Sequence, residues 1–179
     1  MLFVFLVLHL LFLNMEIIIR PYQSNDVETI VAILNYYIAN STALYDYELR
    51  TLEQQQAIFE EKIAKGFPVI VATINGQVVG FGYYSEFRFR EAYKFTVEHS
   101  VYVMPVEEGK GIGKTILQYL IDLAKKQKLH TMVAVIDYEN QNSIVFHEKF
   151  GFTIVGIIKE SGFKFNRWLH SVIMQLILK

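Results

Sequence analysis

The sequence predicts a mixed α/β domain built on one sheet, with the element order β-α-α-β-β-β-α-β-α-β-β. Short β-branched runs alternate with stretches in which apolar residues recur at helical spacing. Asn75-Gly76, between two such runs, is a strong signal for a two-residue hairpin. Gly109, Gly111 and Gly113 separate a strand pattern from an amphipathic helix pattern. No internal repeat or linker divides the chain, so these observations predict a single α/β (α+β mixed sheet) domain.

The composition excludes several classes of protein. At 179 residues the chain is long enough for one substantial core, and 53% of its residues are hydrophobic, which excludes extensive disorder. The net charge of −1 gives no basic excess for binding nucleic acid. There is no cysteine, which excludes disulfides, thiolate zinc sites and a cysteine nucleophile.

The first residues differ in character from the remainder. Residues 1–13 are apolar except for His9, but the run is shorter than the roughly 20 residues of a membrane-spanning helix. It also lacks the positive leading segment and the small-residue cleavage site of a signal peptide. We interpret residues 1–14 as an upstream extension of a domain that covers residues 15–179. A membrane-touching segment and an additional packed element are the alternatives.

The first elements follow from β-branched runs and capping patterns. Glu16–Arg20 is a β-branched run stopped by a proline and is predicted to be the first strand. Asn25–Glu28 is a capping-box pattern that predicts the start of a helix. Residues 40–50 have no clean period and are predicted to form a loop or a broken helix. Thr51–Gln54 is a second capping box, and Gly66 ends the helix that it opens.

The central elements are predicted to be a meander. Residues 68–74 and 77–85 flank the hairpin signal and form two strands. Residues 86–94 are polar and aromatic without a period, which indicates a loop. Residues 95–103 form a long strand that leads into the glycines.

The last elements complete the sheet. Residues 113–126 form an amphipathic helix that ends in lysines, which suit the negative end of the helix dipole. Residues 131–136 read as a fully buried strand. Residues 140–150 form a short helix, and residues 152–159 and 168–178 form two strands joined by a loop.

The glycine-rich stretch ahead of the third helix predicts an anion site. Glycines let the backbone approach a ligand, and the first N–H groups of a helix have no internal partner. The combination suits a phosphate or pyrophosphate. The P-loop spacing is absent, because Glu108 stands where that pattern requires a glycine. The dinucleotide-binding spacing is absent too, because Lys114 and Ile116 stand where its last glycine would be required.

A G-x-G-x-G loop between a strand and an amphipathic helix resembles the coenzyme A loop of the GNAT superfamily of N-acetyltransferases. Residues 140–152, NQNSIVFHEKFGF, resemble a second GNAT motif, with Ser143 at its usual Ala position and His147 at its usual Tyr position. Glu108 departs from the family, whose loop usually begins with Arg or Gln. This departure predicts weaker pyrophosphate binding, with Lys110 and Lys114 as an offset.

Four separated stretches narrow the resemblance: STALYDYE, FRFREAYKFTVEHSVYV, HEKFGF and GFKFNRWLH. Together they resemble the phosphinothricin acetyltransferase branch, which also includes enzymes for methionine sulfoximine and methionine sulfone. The resemblance covers nearly the whole chain from Glu16 onward. It implies acetyl-CoA as co-substrate without a metal, the α-amine of a small amino-acid analogue as acceptor, and a cytoplasmic homodimer with a role in detoxification.

The implied reaction needs a base for the incoming ammonium, donors for the thioester oxygen, and a site that holds both reactants together. Glu98, in the place where this branch carries its base, is the predicted general base; the alternative is a strand carboxylate that faces solvent or caps a neighbour. His147 is the predicted acid for the leaving thiolate; the alternative is a histidine packed on a helix face.

On the coenzyme side, the resemblance implies that the strand at residues 101–103 splays from its neighbour and offers its backbone to the pantetheine arm and the thioester. The predicted coenzyme-binding residues are Val101, Tyr102, Val103, Gly109, Lys110, Gly111, Ile112, Gly113, Lys114, Asn140 and Lys149.

On the acceptor side, Arg88 and Arg90 are predicted to bind a substrate carboxylate, because a guanidinium matches it with two parallel hydrogen bonds. Phe87, Phe89 and Tyr93 are predicted to wall the side-chain pocket. The alternative is an exposed loop with scattered cations. Two further residues, Lys164 and Trp168, match the last motif of the branch and serve either the substrate or hairpin packing.

Two other functions stay open from the sequence. The acceptor could be a protein N-terminus, a polyamine or an antibiotic amine, although arginines near the acceptor argue against cationic substrates. A non-catalytic CoA-binding module is the third hypothesis, and the presence of both Glu98 and His147 argues against it.

Overall fold

A computed structural model describes residues 16–179, which form a seven-stranded sheet in the order β1-β2-β3-β4-β5-β7-β6. The predicted element order is confirmed. The predicted extension at residues 1–14 lies outside the described residues. The elements are β1 Ile18–Pro21, α1 Val27–Asn40, α2 Leu52–Ala64, β2 Val69–Ile74, β3 Gln77–Glu86, β4 Thr96–Val103, α3 Ile112–Lys126, β5 Thr131–Asp137, α4 Gln141–Glu148, β6 Thr153–Lys164 and β7 Arg167–Ile177.

The two faces of the sheet carry separate cores. Along β2, Ile70 and Ala72 pack with α3, whereas Val69 and Val71 pack with α1 and α2. Successive strand residues point to opposite faces, so the helices cover both sides. The apolar stripe of α3 is fully buried and consists of Ile112, Ile116, Leu117, Leu120, Ile121 and Ala124. Within residues 16–179, no helix is long and apolar enough to cross a membrane.

The sheet opens between its two parallel strands. All neighbouring pairs are antiparallel except β4 and β5, which pair only through residues 96–98 and 131–133. Beyond Glu98 the strands diverge, while β5 stays paired with β7 along its whole length. The predicted splay is therefore present, and it leaves a gap beside residues 99–103 of β4.

The predicted capping box of the first helix is wrong, although α1 begins at Val27, within the predicted stretch. Asn25 does not cap it. Instead the Asp26 carboxylate accepts a hydrogen bond from the Gln23 N–H at 2.8 Å and forms an ion pair with Arg20 at 2.7 Å. Gln23 and Asp26 thus cap the short turn that precedes α1, and Arg20 of β1 holds the same carboxylate, which the pattern at Asn25 does not include.

One prediction about the last two strands and one about β5 are also wrong. The loop predicted over residues 160–167 is mostly strand, because only Phe165 and Asn166 form the turn, with φ of +49° and +58°. Such a turn usually carries a glycine, and this pair gives no hairpin signal. The strand at residues 131–136 is not fully buried, because Val135 is 44% exposed where β4 has moved away.

Candidate active site

The gap between β4 and β5 forms a cleft of about 1380 Å³. Residues of the glycine loop and α4 line it together with the diverging part of β4. Most of the predicted catalytic and coenzyme-binding residues meet there: Glu98, Val101, Tyr102, Val103, Gly109, Gly111, Ile112, Gly113, Lys114, Asn140, His147 and Lys149.

The glycine loop has the backbone shape that an anion site needs. Gly109 and Gly111 have φ of +78° and +82°, a region that residues with a side chain rarely adopt. Gly111 is the N-cap of α3, and no side chain caps that helix start. The first N–H groups of α3 therefore lie at residues that line the cleft and have no side-chain cap. Lys110, which is predicted to bind the coenzyme, does not line the cleft, and its ammonium pairs with Glu107 at 2.8 Å.

The carboxylate of Glu108 is bound to a neighbour at the mouth of the cleft. The Tyr37 hydroxyl lies 2.6 Å from Glu108 Oε1 and 2.8 Å from the carbonyl oxygen of Val103. Burial, followed by the bond to Glu108, raises the pKa of Tyr37 well above its usual range, so this hydroxyl keeps its proton. The contact accommodates the residue that departs from the predicted family loop.

Glu98 lies where β4 and β5 separate. Side chains of Glu98 and Tyr102 share one face of β4, and Tyr102 packs in the core with α1 and α2. Glu98 therefore faces the side of the sheet that these helices cover. Burial raises the pKa of Glu98, while the charges of Arg88 and Lys62 partly offset that increase. A half-buried carboxylate with a raised pKa has the properties of a general base.

His147 lies on the other face, buried and stacked on His99 with ring centroids 5.1 Å apart. Its Nδ1 is 2.6 Å from the carbonyl oxygen of Ser143. A carbonyl only accepts, so the proton of a neutral His147 resides on Nδ1 and Nε2 has none to donate. Burial also lowers the pKa of His147, and burial together with His147 lowers that of His99 to about 3. This geometry favours the packing alternative over the predicted acid.

Asn140 has a structural task as well as a place in the cleft. Its side-chain oxygen accepts a hydrogen bond from the Ser143 N–H at 3.1 Å and so caps α4. The Asn140 amide nitrogen is the group that is left for a ligand. Lys114 and Lys149 are exposed at the cleft, where their charges suit phosphates.

The predicted acceptor residues do not line the cleft. The loop after β3 is exposed, and Phe89 is 86% exposed. Arg88 stacks on Phe87 with its guanidinium carbon 4.2 Å from the ring centroid, and Arg90 lies 5.2 Å from the Phe89 ring. The Phe87 and Tyr93 rings contact each other edge to face. These side chains pack on their own loop, which a sequence cannot distinguish from packing around a substrate.

Several cleft residues were not predicted. Tyr37 and His99 are among them, and so are Thr42, Ala43, Leu44 and Tyr45 of the loop after α1. That loop contains the matched stretch STALYDYE, so its place in a motif was the available signal. His99 was detectable only as the residue adjacent to Glu98.

Comparisons with known proteins agree with this geometry. The Acetyltransferase (GNAT) domain family matches residues 19–173. The L-methionine sulfoximine/L-methionine sulfone acetyltransferase of Pseudomonas paraeruginosa is 41% identical over 161 residues, which cover 89% of this chain and 94% of that protein. Phosphinothricin N-acetyltransferase of Alcaligenes faecalis is 32% identical over 158 residues, 88% of this chain and 80% of that protein. A GNAT phosphinothricin acetyltransferase from Sinorhizobium meliloti, solved with acetyl-CoA, is 34% identical with a TM-score of 0.88 over 90% of this chain and 88% of that one.

Proposed function

Because this chain belongs to the GNAT acetyltransferase family, we propose that it transfers the acetyl group of acetyl-CoA to the α-amine of a small amino-acid analogue. The substrate class is that of methionine sulfoximine, methionine sulfone and phosphinothricin, on which its relatives act by name. The observation that carries the proposal is a half-buried carboxylate, Glu98, in the gap between two diverging strands that leads to a glycine loop. Acetylation removes the positive charge of the amine, which fits detoxification.

Glu98 acts as the general base in this proposal. An α-amine is an ammonium near neutral pH and must lose a proton before its nitrogen can attack. Glu98 takes that proton directly or through one water. The nitrogen then bonds to the thioester carbon, and the carbon–sulfur bond breaks. The second proton, which the nitrogen loses on becoming an amide, goes to the leaving thiolate and gives coenzyme A.

The coenzyme side of the cleft uses backbone groups and two cations. The N–H groups at the start of α3 receive the pyrophosphate, because they lie at the positive end of the helix dipole. Lys114 and Lys149 add positive charge at the mouth. The edge of β4 that faces away from β3 is not paired with β5 at residues 101–103. Apart from the Val103 carbonyl, which the Tyr37 hydroxyl contacts, this edge offers hydrogen-bonding groups to the pantetheine arm and the thioester oxygen.

Glu108→Gln is expected to lower the KM for acetyl-CoA by roughly two- to fivefold, the scale of one exposed charge interaction. The amide keeps an acceptor for the Tyr37 hydroxyl but removes a negative charge beside the phosphates. Steady-state kinetics at low and high salt check this, since screening should shrink the difference. The KM for the amine is the internal control, and an unchanged KM for acetyl-CoA at low salt would contradict the prediction.

We propose that His147 packs the cleft wall and is not the acid that was predicted. His147→Asn keeps a donor near the Nδ1 position for the Ser143 carbonyl and removes Nε2, whereas His147→Gln keeps a polar group near Nε2. We expect His147→Asn to lower the Tm and to keep kcat within about tenfold of wild type, below the usual range for lost acid–base catalysis. A loss of kcat above a hundredfold at an unchanged Tm would restore the acid role.

For the acceptor, we propose that Arg88 and Arg90 bind the substrate carboxylate and that Phe87, Phe89 and Tyr93 wall its side chain. The support is electrostatic, because the charge of Arg88 acts on Glu98. A carboxylate bound to the arginines would bring its own α-amine close to the base.

Release of free thiol from acetyl-CoA tests the proposed function. The amine panel is methionine sulfoximine, methionine sulfone and phosphinothricin, with a polyamine and a peptide N-terminus as contrasting acceptors. Turnover of the amino-acid analogues above the other amines is expected. Turnover confined to the polyamine or the peptide would reject the acceptor class, and binding of acetyl-CoA without turnover of any amine would favour a non-catalytic module.

We also propose that the enzyme is a cytoplasmic homodimer. β6 is an edge strand whose apolar side chains are exposed on both faces: Ile154 at 48%, Val155 at 55%, Ile157 at 46% and Ile158 at 52%. Exposed apolar edge strands are usually covered, and a second copy of the chain would cover this one. Light scattering of the eluted protein distinguishes a dimer from a monomer.

A further inference from the structure

Lys164, near the end of β6, is a buried lysine with a defined set of partners. Only 4% of its side chain is exposed. Its ammonium donates hydrogen bonds to the carbonyl oxygens of Ser41 at 2.9 Å and Leu44 at 2.6 Å. Burial lowers the pKa of Lys164, while the charge of Asp46 opposes that decrease. A lysine is almost never this buried unless it is paired, so the two carbonyls are the partners that hold it.

The same hairpin holds the loop at two further points. The ring of Tyr45 lies on Gly162, so closely that a Cβ at that glycine would be 2.5 Å and 2.7 Å from two ring atoms. The Tyr47 hydroxyl donates a hydrogen bond to the carbonyl oxygen of Phe163. Residues 41–47, the loop after α1, are thus attached to β6 through backbone, ring and hydroxyl contacts.

This loop is a wall of the cleft on the side of the base. Thr42, Ala43, Leu44 and Tyr45 line the cleft together with Glu98. The loop follows α1, which covers the face of the sheet to which Glu98 points. An acceptor amine that reaches Glu98 therefore enters between β4 and this loop.

We propose that Lys164 is a positioning residue for the acceptor, because it fixes the loop at residues 41–47 as the wall opposite Glu98. The inference rests on the proposed function. Lys164 does not line the cleft and touches no reacting atom. It acts through the backbone of Ser41 and Leu44, so its effect should appear in binding of the amine and not in binding of acetyl-CoA.

Lys164→Met tests this directly, since it keeps an unbranched side chain that is one heavy atom shorter and removes the donors. We expect the KM for the amine to rise roughly tenfold, because small misplacements of a binding wall are costly, while the KM for acetyl-CoA stays within about twofold. Lys164→Arg restores donors and should recover part of the loss. Lys159→Met is the matched control, because Lys159 is exposed on the same strand. Equal rises in both KM values, or a lower Tm with unchanged KM values, would overturn the proposal.

Gly162→Ala tests the same wall without changing a charge. The added methyl group must displace the Tyr45 ring, so the KM for the amine should again rise alone. Gly156→Ala is its control, because a Cβ at Gly156 meets nothing within 4 Å. This pair decides the matter if Lys164→Met fails to fold, and an unchanged KM in Gly162→Ala would then reject the proposal.

Hydrogen exchange separates this proposal from the proposed function. Amides of residues 41–47 should exchange faster in Lys164→Met than in Lys159→Met, whatever amine is acetylated. Faster exchange in an enzyme that turns over no amino-acid analogue would support the role of Lys164 in attaching the loop and would reject the proposed acceptor class. Equal exchange in the two variants would reject the role of Lys164 itself.

Discussion

Replacing Glu98 with Gln is expected to lower kcat by roughly 10²–10⁴, the range for loss of a general base. Glutamine keeps the size and the hydrogen-bonding capacity of the side chain but cannot accept the proton of the ammonium. The position is half-buried in the cleft beside the loop at residues 41–47. Steady-state kinetics with a saturating amine measure the loss. Turnover near that of wild type would show that another group removes the proton.

The pH profile gives Glu98→Gln a second readout. A base works only when it is ionised, so kcat/KM should rise as the pH increases through the pKa of Glu98. Burial raises that pKa above its ordinary 4.5, which moves the acidic limb of the kcat/KM profile to higher pH. This limb should be absent in Glu98→Gln. Glu86→Gln is the control: that carboxylate lies on the adjacent strand and pairs with Lys65 at 3.0 Å, away from the residues that line the cleft.

The same pKa shift predicts that Glu98→Gln folds normally. A carboxyl whose pKa is higher in the folded state binds its proton more tightly there than in the unfolded chain. The stability gained by protonation is present below the unfolded pKa and is lost as the pH rises through the folded one. At neutral pH the ionised Glu98 therefore disfavours folding, and the neutral variant should have an equal or higher Tm. A loss of kcat then cannot be attributed to unfolding.

The sequence was sufficient for the fold because local signals and the global order agree. The hairpin at Asn75-Gly76 joins β2 and β3 as predicted, with Ile74 opposite Gln77. Thr51 accepts a hydrogen bond from the Gln54 N–H at the predicted start of α2. The error at the start of α1 occurred where a residue of another element takes part in the local structure, because Arg20 of β1 holds the Asp26 carboxylate.

The site was predictable where backbone shape carries the chemistry and less so where packing does. The glycines ahead of α3 could be recognised because Gly109 and Gly111 adopt a positive φ that other residues rarely adopt, so residue type itself indicates the loop. The packing of His147 against His99 could not, because the two lie on different elements that meet only in the folded chain. The attachment of Lys164 to Ser41 likewise joins residues 123 positions apart.

Arg88→Ala is expected to raise the KM for the amino-acid acceptor by roughly 10- to 100-fold, the scale for hydrogen bonds to a charged group. Removal of this cation should also change the base. The charge of Arg88 lowers the pKa of Glu98, so without it that pKa rises further and the acidic limb of kcat/KM moves to higher pH. Arg90→Ala is expected to raise the same KM and to leave the acidic limb of kcat/KM in place, because the cations that lower the pKa of Glu98 are Arg88 and Lys62.

A substrate with a carboxamide in place of the carboxylate completes this comparison. An arginine that recognises the carboxylate contributes little to the neutral analogue, so Arg88→Ala should hardly change the KM for the amide. The KM for acetyl-CoA should stay constant in both variants, because the loop after β3 does not line the cleft, whereas the glycine loop does. If the KM values for acid and amide rise equally, Arg88 supports the loop through its contact with Phe87, and the carboxylate is bound elsewhere.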